Sequence, residues 1–294
     1  MSSKSPLGAS LIVLSSFFYA SYGIWTKLIG DFMGGYTAAT FRSVFVVAVL
    51  LLIAHIYKRL EFVDWKHNWP YLAGMFFASL FVWGPLYYAI LHAGLGISFA
   101  INYASIVIGM FFFGWWLASE RITKDKWASA LLGIVGLGLV FSPSVSNLGW
   151  LALGGSLISG LAVAAISVLA KKIPYNATQS TIAVWGTGLI ASAIMALIIK
   201  ESFPQVGWHV EWFYLLIFSL ASVIASWAFV GGVKLIEAGA AGILGLLEIV
   251  FGVLFGVLFF SERPGAVVLL GILIIITAAA IPYIKEFNLK RGTL

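Results

Sequence analysis

Glu248 stands near the middle of an apolar stretch, Glu237–Arg263, that is long enough to cross a bilayer; such a crossing takes ~20 helical residues. A charged side chain at the bilayer centre costs ~2.5–3.5 kcal/mol on insertion scales, so it faces protein or water and not lipid. Two chemistries fit an acid in that position. It binds an ammonium or other cationic group, or it carries a proton. The plain alternative is a carboxyl hydrogen-bonded between packed helices. Gly239, Gly242, Gly245, Gly252 and Gly256 crowd the same stretch. The Gly252/Gly256 pair has the small-xxx-small spacing that lets another helix come close.

Arg42 is a second charge within an apolar run. It lies about seven residues in, or ~10 Å deep at ~1.5 Å per residue. It could pair with an acid or a substrate carboxylate, or snorkel to the surface. Tyr19, Tyr22, Trp83, Tyr87, Tyr103 and Trp227 also fall inside apolar runs, and each carries a polar group that needs a partner. Trp83 and Tyr87 are four apart and share a helix face. Together these rings suit a cavity for apolar, aromatic or ammonium solutes, or they pack helices. Asn102, an amide within a span, either bonds a neighbouring helix or touches substrate.

Other chemistries lack their residues. His55, His67, His92 and His209 show no ligand spacing, so no metal is expected. With no cysteine there are no disulfides or thiolate sites. Neither a P-loop, a dinucleotide fingerprint in the right order, nor a nucleophile elbow is present. We therefore expect no cofactor, no catalytic set and no enzyme.

The elements that must position these residues are membrane helices. Hydrophobic residues make up 62% of the 294 and charged residues 10%, which excludes an ordinary soluble domain. A barrel would need strands that alternate polar and apolar. The net charge of +6 sits in short loops and does not point to nucleic acid. We read ten spans: Gly8–Leu28, Tyr36–Tyr57, Trp69–Leu91, Leu95–Ala118, Trp127–Phe141, Leu148–Ala170, Gln179–Ile199, Trp212–Ile236, the Glu237–Arg263 stretch and Val267–Tyr283. Ser142–Asn147 is an uncharged joint. The first span has no clear cleavage site and reads as a retained signal-anchor.

Lys and Arg are unequally divided between the loops. With the N-terminus cytoplasmic, thirteen of seventeen lie inside: Lys4, Lys58, Arg59, Lys66, Arg121, Lys124, Lys126, Lys171, Lys172, Lys234, Lys285, Lys290 and Arg291. Lys27, Lys200 and Arg263 lie outside, and Arg42 is within a span. Both termini are then cytoplasmic. Ser119-Glu120-Arg121 recurs as Ser261-Glu262-Arg263, 142 residues later, each with apolar runs before and after. Ala93-Gly94 precedes the first triplet as Ala238-Gly239 precedes the second. This is an internal duplication. Five spans per half is odd, so the second half runs inverted, with a solute site near the midplane.

In these residues the chain resembles the drug/metabolite transporter superfamily, in its ten-helix branch with two EamA-type domains. The resemblance covers nearly the whole chain. It rests on Tyr19-Ala-Ser-Tyr-Gly-Ile-Trp-Thr-Lys27, Arg42, the two Ser-Glu-Arg endings with the Gly-rich helices that follow, and Leu247-Glu248-Ile249-Val250. In the family Leu-Glu-Pro-Val is common; here Ile249 replaces the proline, and Ile106 stands where the fourth helix often has one. The resemblance implies an all-α polytopic membrane protein with two inverted five-helix repeats around a central cavity. The repeats would span 1–142 and 148–285, followed by a short basic cytoplasmic tail, 286–294. It also implies a secondary transporter that moves small metabolites, amino acids or related amines, by alternating access in a bacterial inner membrane. Organic cations, drugs or nucleobase-like solutes are the alternative cargo. A channel or a non-transporting scaffold is the competing class. The binding residues would be Tyr19, Tyr22, Trp83, Tyr87, Asn102, Tyr103, Trp227 and Glu248, with Glu248 and Arg42 as the coupling charges. The expected partners are the small-molecule substrate, protons as coupling ion, the lipid bilayer and, as assembly, a monomer or homodimer.

Overall fold

The computed structural model describes residues 5–57, 65–142, 149–201, 204 and 207–291. Lys4, Lys58, Arg59, most of the Ser142–Asn147 joint and the last residues of the basic tail lie outside the described residues. With a mean hydropathy of +1.04, the chain must satisfy its backbone polar groups internally, and helices do so within one segment. Thirteen α-helical segments result among the described residues. Three pairs of segments are single rods interrupted by a turn, which leaves ten helices.

These are α1 (Ser5–Ala20 and Tyr22–Ile29), α2 (Gly35–Ile56), α3 (Trp65–Leu80 and Trp83–Ala93), α4 (Leu95–Ala118) and α5 (Lys124–Phe141). The second half holds α6 (Trp150–Lys172), α7 (Ala177–Ile198), α8 (Val210–Leu235), α9 (Ala238–Gly245 and Leu247–Phe260) and α10 (Ala266–Arg291). Among the described residues, eight are long and apolar enough to cross a membrane. The other two, α5 and α10, lie against each other. A side chain on Gly136 would come within 2.8 Å of the Gly271 carbonyl, and one on Gly271 within 2.6 Å of the Gly136 carbonyl. Glycine alone lets the two backbones cross there. Helix α5 begins three residues before the expected Trp127, with Thr123 as its cap and Asp125 in its first turn; an acid there suits the helix dipole.

The breaks have local causes. In α1 the Ser21 hydroxyl donates to the Phe18 carbonyl at 2.6 Å and accepts from Trp25 Nε1 at 3.2 Å. In α3, Pro85 lacks the N–H that would reach the Phe81 carbonyl, and Ser159 of α6 donates to the adjacent Val82 carbonyl at 2.6 Å. Helix α9 breaks at Leu246 although Ile249 has replaced the proline. Tight i→i+3 bonds, Leu246 N to Ile243 O and Ile249 N to Leu246 O, both 3.1 Å, make the turn, beside Gly245. By contrast α4 runs unbroken through Ile106.

The small-xxx-small pair departs from expectation. Gly252 has open space around it, and the place of a side chain on Gly256 is taken by Glu262. The close helix approach is made by Gly239 on Phe111 and Gly242 on Met110 and Val107 instead.

The duplication is visible as a repeated cap. Ser119 and Ser261 end α4 and α9 in the left-handed region, at φ 53° and 54°. Glu120 N donates to Gly114 O at 3.0 Å and Glu262 N to Gly256 O at 3.1 Å. Each glutamate then folds back over that glycine. The unit is therefore Gly-x4-Ser-Glu-Arg. Its two copies fall on opposite faces, because five helices per half reverse the direction of the second. The fold is two inverted five-helix repeats around a central cavity.

Candidate substrate site

Two charges anchor the interior, one buried (Arg42) and one half-buried (Glu248). Glu248 opens the second segment of α9, just past the break. Its Oε1 accepts the Tyr103 hydroxyl of α4 at 2.6 Å. The bond joins the two repeats at the level where α9 turns. Among the described residues no lysine, arginine or histidine pairs with this carboxylate, so a ligand cation or a proton would complete it.

Arg42 does not snorkel. It is 5% exposed, and its guanidinium carbon lies 4.4 Å from the ring centre of Phe218, 5.1 Å from Tyr22, 5.2 Å from Trp83 and 5.4 Å from Trp185. Four ring faces offset part of the cost of holding the cation out of water. They accept no directed hydrogen bond of the carboxylate kind, and Nε has no partner. The Trp185 Nε1 donor is likewise buried and unpartnered. Two donors without an acceptor suit an anionic group such as a carboxylate.

Tyr19 is within electrostatic reach of both Glu248 and Arg42. Its ring stands edge-on to Tyr22 at 5.1 Å and Tyr22 edge-on to Phe218 at 4.5 Å. The turn at Ser21 falls between these two tyrosines and sets their relative direction. The structure thus gathers Tyr19, Tyr22, Arg42, Trp83, Tyr103 and Glu248 from α1, α2, α3, α4 and α9.

Three expected residues stand apart. Asn102 points into the α4–α6 contact and donates to the Ser156 carbonyl at 3.2 Å. Trp227 donates to Thr178 Oγ1 at 3.1 Å, ~13 Å along α8 from Phe218 at ~1.5 Å per residue. Tyr87, one turn beyond Trp83, is 58% exposed. Trp185 and Phe218 were not singled out in the sequence. A tryptophan in mid-span was the available signal for Trp185; Phe218 offers no polar atom to draw attention.

The EamA-like transporter family profile matches residues 6–142 and 149–283. An uncharacterized transporter of Helicobacter pylori (strain ATCC 700392 / 26695) is 22% identical over 259 residues, covering 85% of this chain and 85% of its own. An uncharacterized transporter of strain J99 / ATCC 700824 matches with the same identity and coverage. A solved crystal structure superposes with a TM-score of 0.77 at 18% identity, covering 96% of this chain and 98% of that one; this likeness shows the fold. With both halves of the chain matched, the protein is a multi-pass membrane protein that belongs to the EamA-like transporter family, within the drug/metabolite transporter superfamily.

Proposed function

We propose that the chain is a secondary transporter of amino acids or related amines. The observation that carries this reading is a pair of opposite charges inside the bundle, Arg42 buried and Glu248 half-buried, each without an oppositely charged side-chain partner among the described residues, with Tyr19 within electrostatic reach of both. A zwitterion supplies what each lacks. Its carboxylate meets Arg42 and the Trp185 N–H, and its ammonium meets Glu248. Binding energy then comes from groups that are desolvated already, so little is spent on ordering the site. Alternating access about the midplane site follows from the inverted repeats. Protons are the coupling ion in this reading, carried by Glu248 when no ammonium occupies it. The chain works in a bacterial inner membrane with both termini cytoplasmic, as a monomer or homodimer.

A second reading has its own support. Trp83 and Tyr87 are 39% and 58% exposed, which leaves aromatic surface for a flat organic cation or nucleobase-like solute. Solute counterflow by the purified chain in liposomes separates the two. Amino acids, their decarboxylated amines, quaternary amines and nucleobases are offered in turn. Flux of amino acids that falls at least tenfold in Arg42→Gln, with amine flux retained, supports the zwitterion reading. Flux of amines and nucleobases alone overturns it in favour of the second.

A further inference from the structure

The two Gly-x4-Ser-Glu-Arg caps place glutamates at equivalent points on opposite faces, yet the glutamates are held differently. On the lysine-rich face, the Glu120 side chain is 12% exposed and accepts Lys171 Nζ at 2.5 Å. Its other oxygen accepts the backbone N–H of Ala238, the first residue of α9, at 2.7 Å. Lys171 also donates to the Ile236 carbonyl at 2.6 Å. One carboxylate therefore ties together the ends of α4 and α6 and the start of α9. On the opposite face, Glu262 meets Lys27 at 3.4 Å, with side chains 56% and 57% exposed. Lys27 is the counterpart of Lys171, because each sits in the last turn of the first helix of its repeat.

The helices agree with the charges. Near Glu120, α9 is pressed on α4 through Gly239 on Phe111 and Gly242 on Met110. Beyond the turn at Leu246, the segment Leu247–Phe260 lies along α1 and α10, with Phe17 edge-on to Phe251 at 5.5 Å and to Phe255 at 5.2 Å. Helices α4 and α9 are thus together on one side of the Tyr103–Glu248 bond and part on the other.

We infer that Glu120–Lys171 and Glu262–Lys27 are the two gate latches of the transport cycle, closed in alternation, and that this structure is shut at the lysine-rich face and open at the other. Inverted repeats that exchange conformations turn one state into its mirror. In that mirror state Glu262 is buried against Lys27 and takes a backbone N–H at the start of α4, while Glu120 and Lys171 separate into water. A part-buried pair with further backbone hydrogen bonds costs more to break by removing one member than an exposed pair at 3.4 Å, which adds little. Which latch is closed therefore biases the population of the two states. The inference concerns gating and does not depend on which solute is carried.

The test measures two distances at once. The chain has no cysteine, so cysteine pairs for spin labels go in at Arg121 and Lys172 beside the closed latch, and at Arg263 and Leu28 beside the open one. All four residues are exposed. In the parent, the first pair should be close and narrowly distributed and the second more widely separated. Glu120→Gln should lengthen the first distance and shorten the second in the same preparation. Lys171→Gln approaches the latch from its other side and should do the same. Glu262→Gln should leave the first pair short. A first pair that lengthens while the second stays fixed or lengthens too is fraying and overturns the proposal, as do two distances that ignore Glu120→Gln and Lys171→Gln.

Discussion

Tyr103 and Glu248 come from different repeats and meet at 2.6 Å, so the acid midway along α9 also makes a bond across the pseudo-symmetry. The two roles separate by substitution. In Glu248→Gln the amide oxygen still accepts from Tyr103, and stability should change by no more than ~1 kcal/mol. The charge is gone, so flux of ammonium-bearing solutes should fall while neutral analogues keep what flux they have. If Glu248 carries the coupling proton, parental flux varies with pH and the Gln variant's does not, measured in proteoliposomes from about pH 5 to 8. A Gln variant that matches the parent throughout removes Glu248 from the mechanism. Tyr103→Phe acts the opposite way. It keeps the charge and leaves a half-buried carboxylate without its donor, at a cost of ~1–3 kcal/mol, seen as a lowered unfolding temperature in detergent. Glu248 is conspicuous in the sequence because a carboxylate in mid-span has few cheap explanations. Phe218 and Trp185 are not, because aromatic residues in spans mostly pack, and only the fold shows that they close a ring around Arg42.

The breaks in α1, α3 and α9 aim the site residues, and they differ in how plainly they are written. Pro85 announces the break in α3. The turn at Ser21 comes from a serine that bonds back to the preceding turn, which serines in unbroken helices also do, and the turn at Leu246 from two i→i+3 bonds beside a glycine, a backbone feature that no residue type spells out. That is why ten spans can be read from apolar runs while the kinks within them cannot. Glycines pose the same problem. Gly252/Gly256 has the spacing of a helix contact and makes none, because Glu262 of the helix's own cap fills the place of a side chain on Gly256. Spacing shows where an approach is allowed, and the partner decides whether it happens. The Gly136–Gly271 crossing of α5 and α10 is backbone against backbone, with no flexible side chain to yield. Gly271→Ala should therefore destabilise by ~1–3 kcal/mol, the usual cost of overpacking. Gly252→Ala, set in open space, should be neutral or slightly stabilising through helix propensity. Thermal unfolding of the two variants side by side checks the contrast, and equal losses would refute it.

For the whole molecule, the duplication was legible from a repeated triplet, and the odd number of helices per half forces its inversion. What the triplet does at each copy was not legible, because the same Ser-Glu-Arg ends one helix in a part-buried ion pair and the other in an exposed one. That difference belongs to the conformational state, and one sequence encodes both states. Orientation in the membrane depends on the whole chain as well. Lys126, Lys171 and Lys234 share the face where α4, α6 and α8 end, and there they are tied to Glu237, Glu120 and the Ile173 carbonyl. A lysine held this way still counts toward topology, because insertion is decided before the loops fold against each other. We therefore expect this face in the cytoplasm. Pro174 is exposed in the loop between α6 and α7 on this face, and Trp208 is fully exposed on the other side, ahead of α8. Asn176 would be a poor probe because its side chain caps α7 by accepting Gln179 N at 3.0 Å. Single cysteines at Pro174 and Trp208 can be placed without removing any native thiol. In intact cells, an impermeant maleimide should label the Trp208→Cys protein fully and leave the Pro174→Cys protein unlabelled until the membrane is opened. Labelling in the reverse order would turn the molecule over, and with it the side on which the open gate of this structure receives solute.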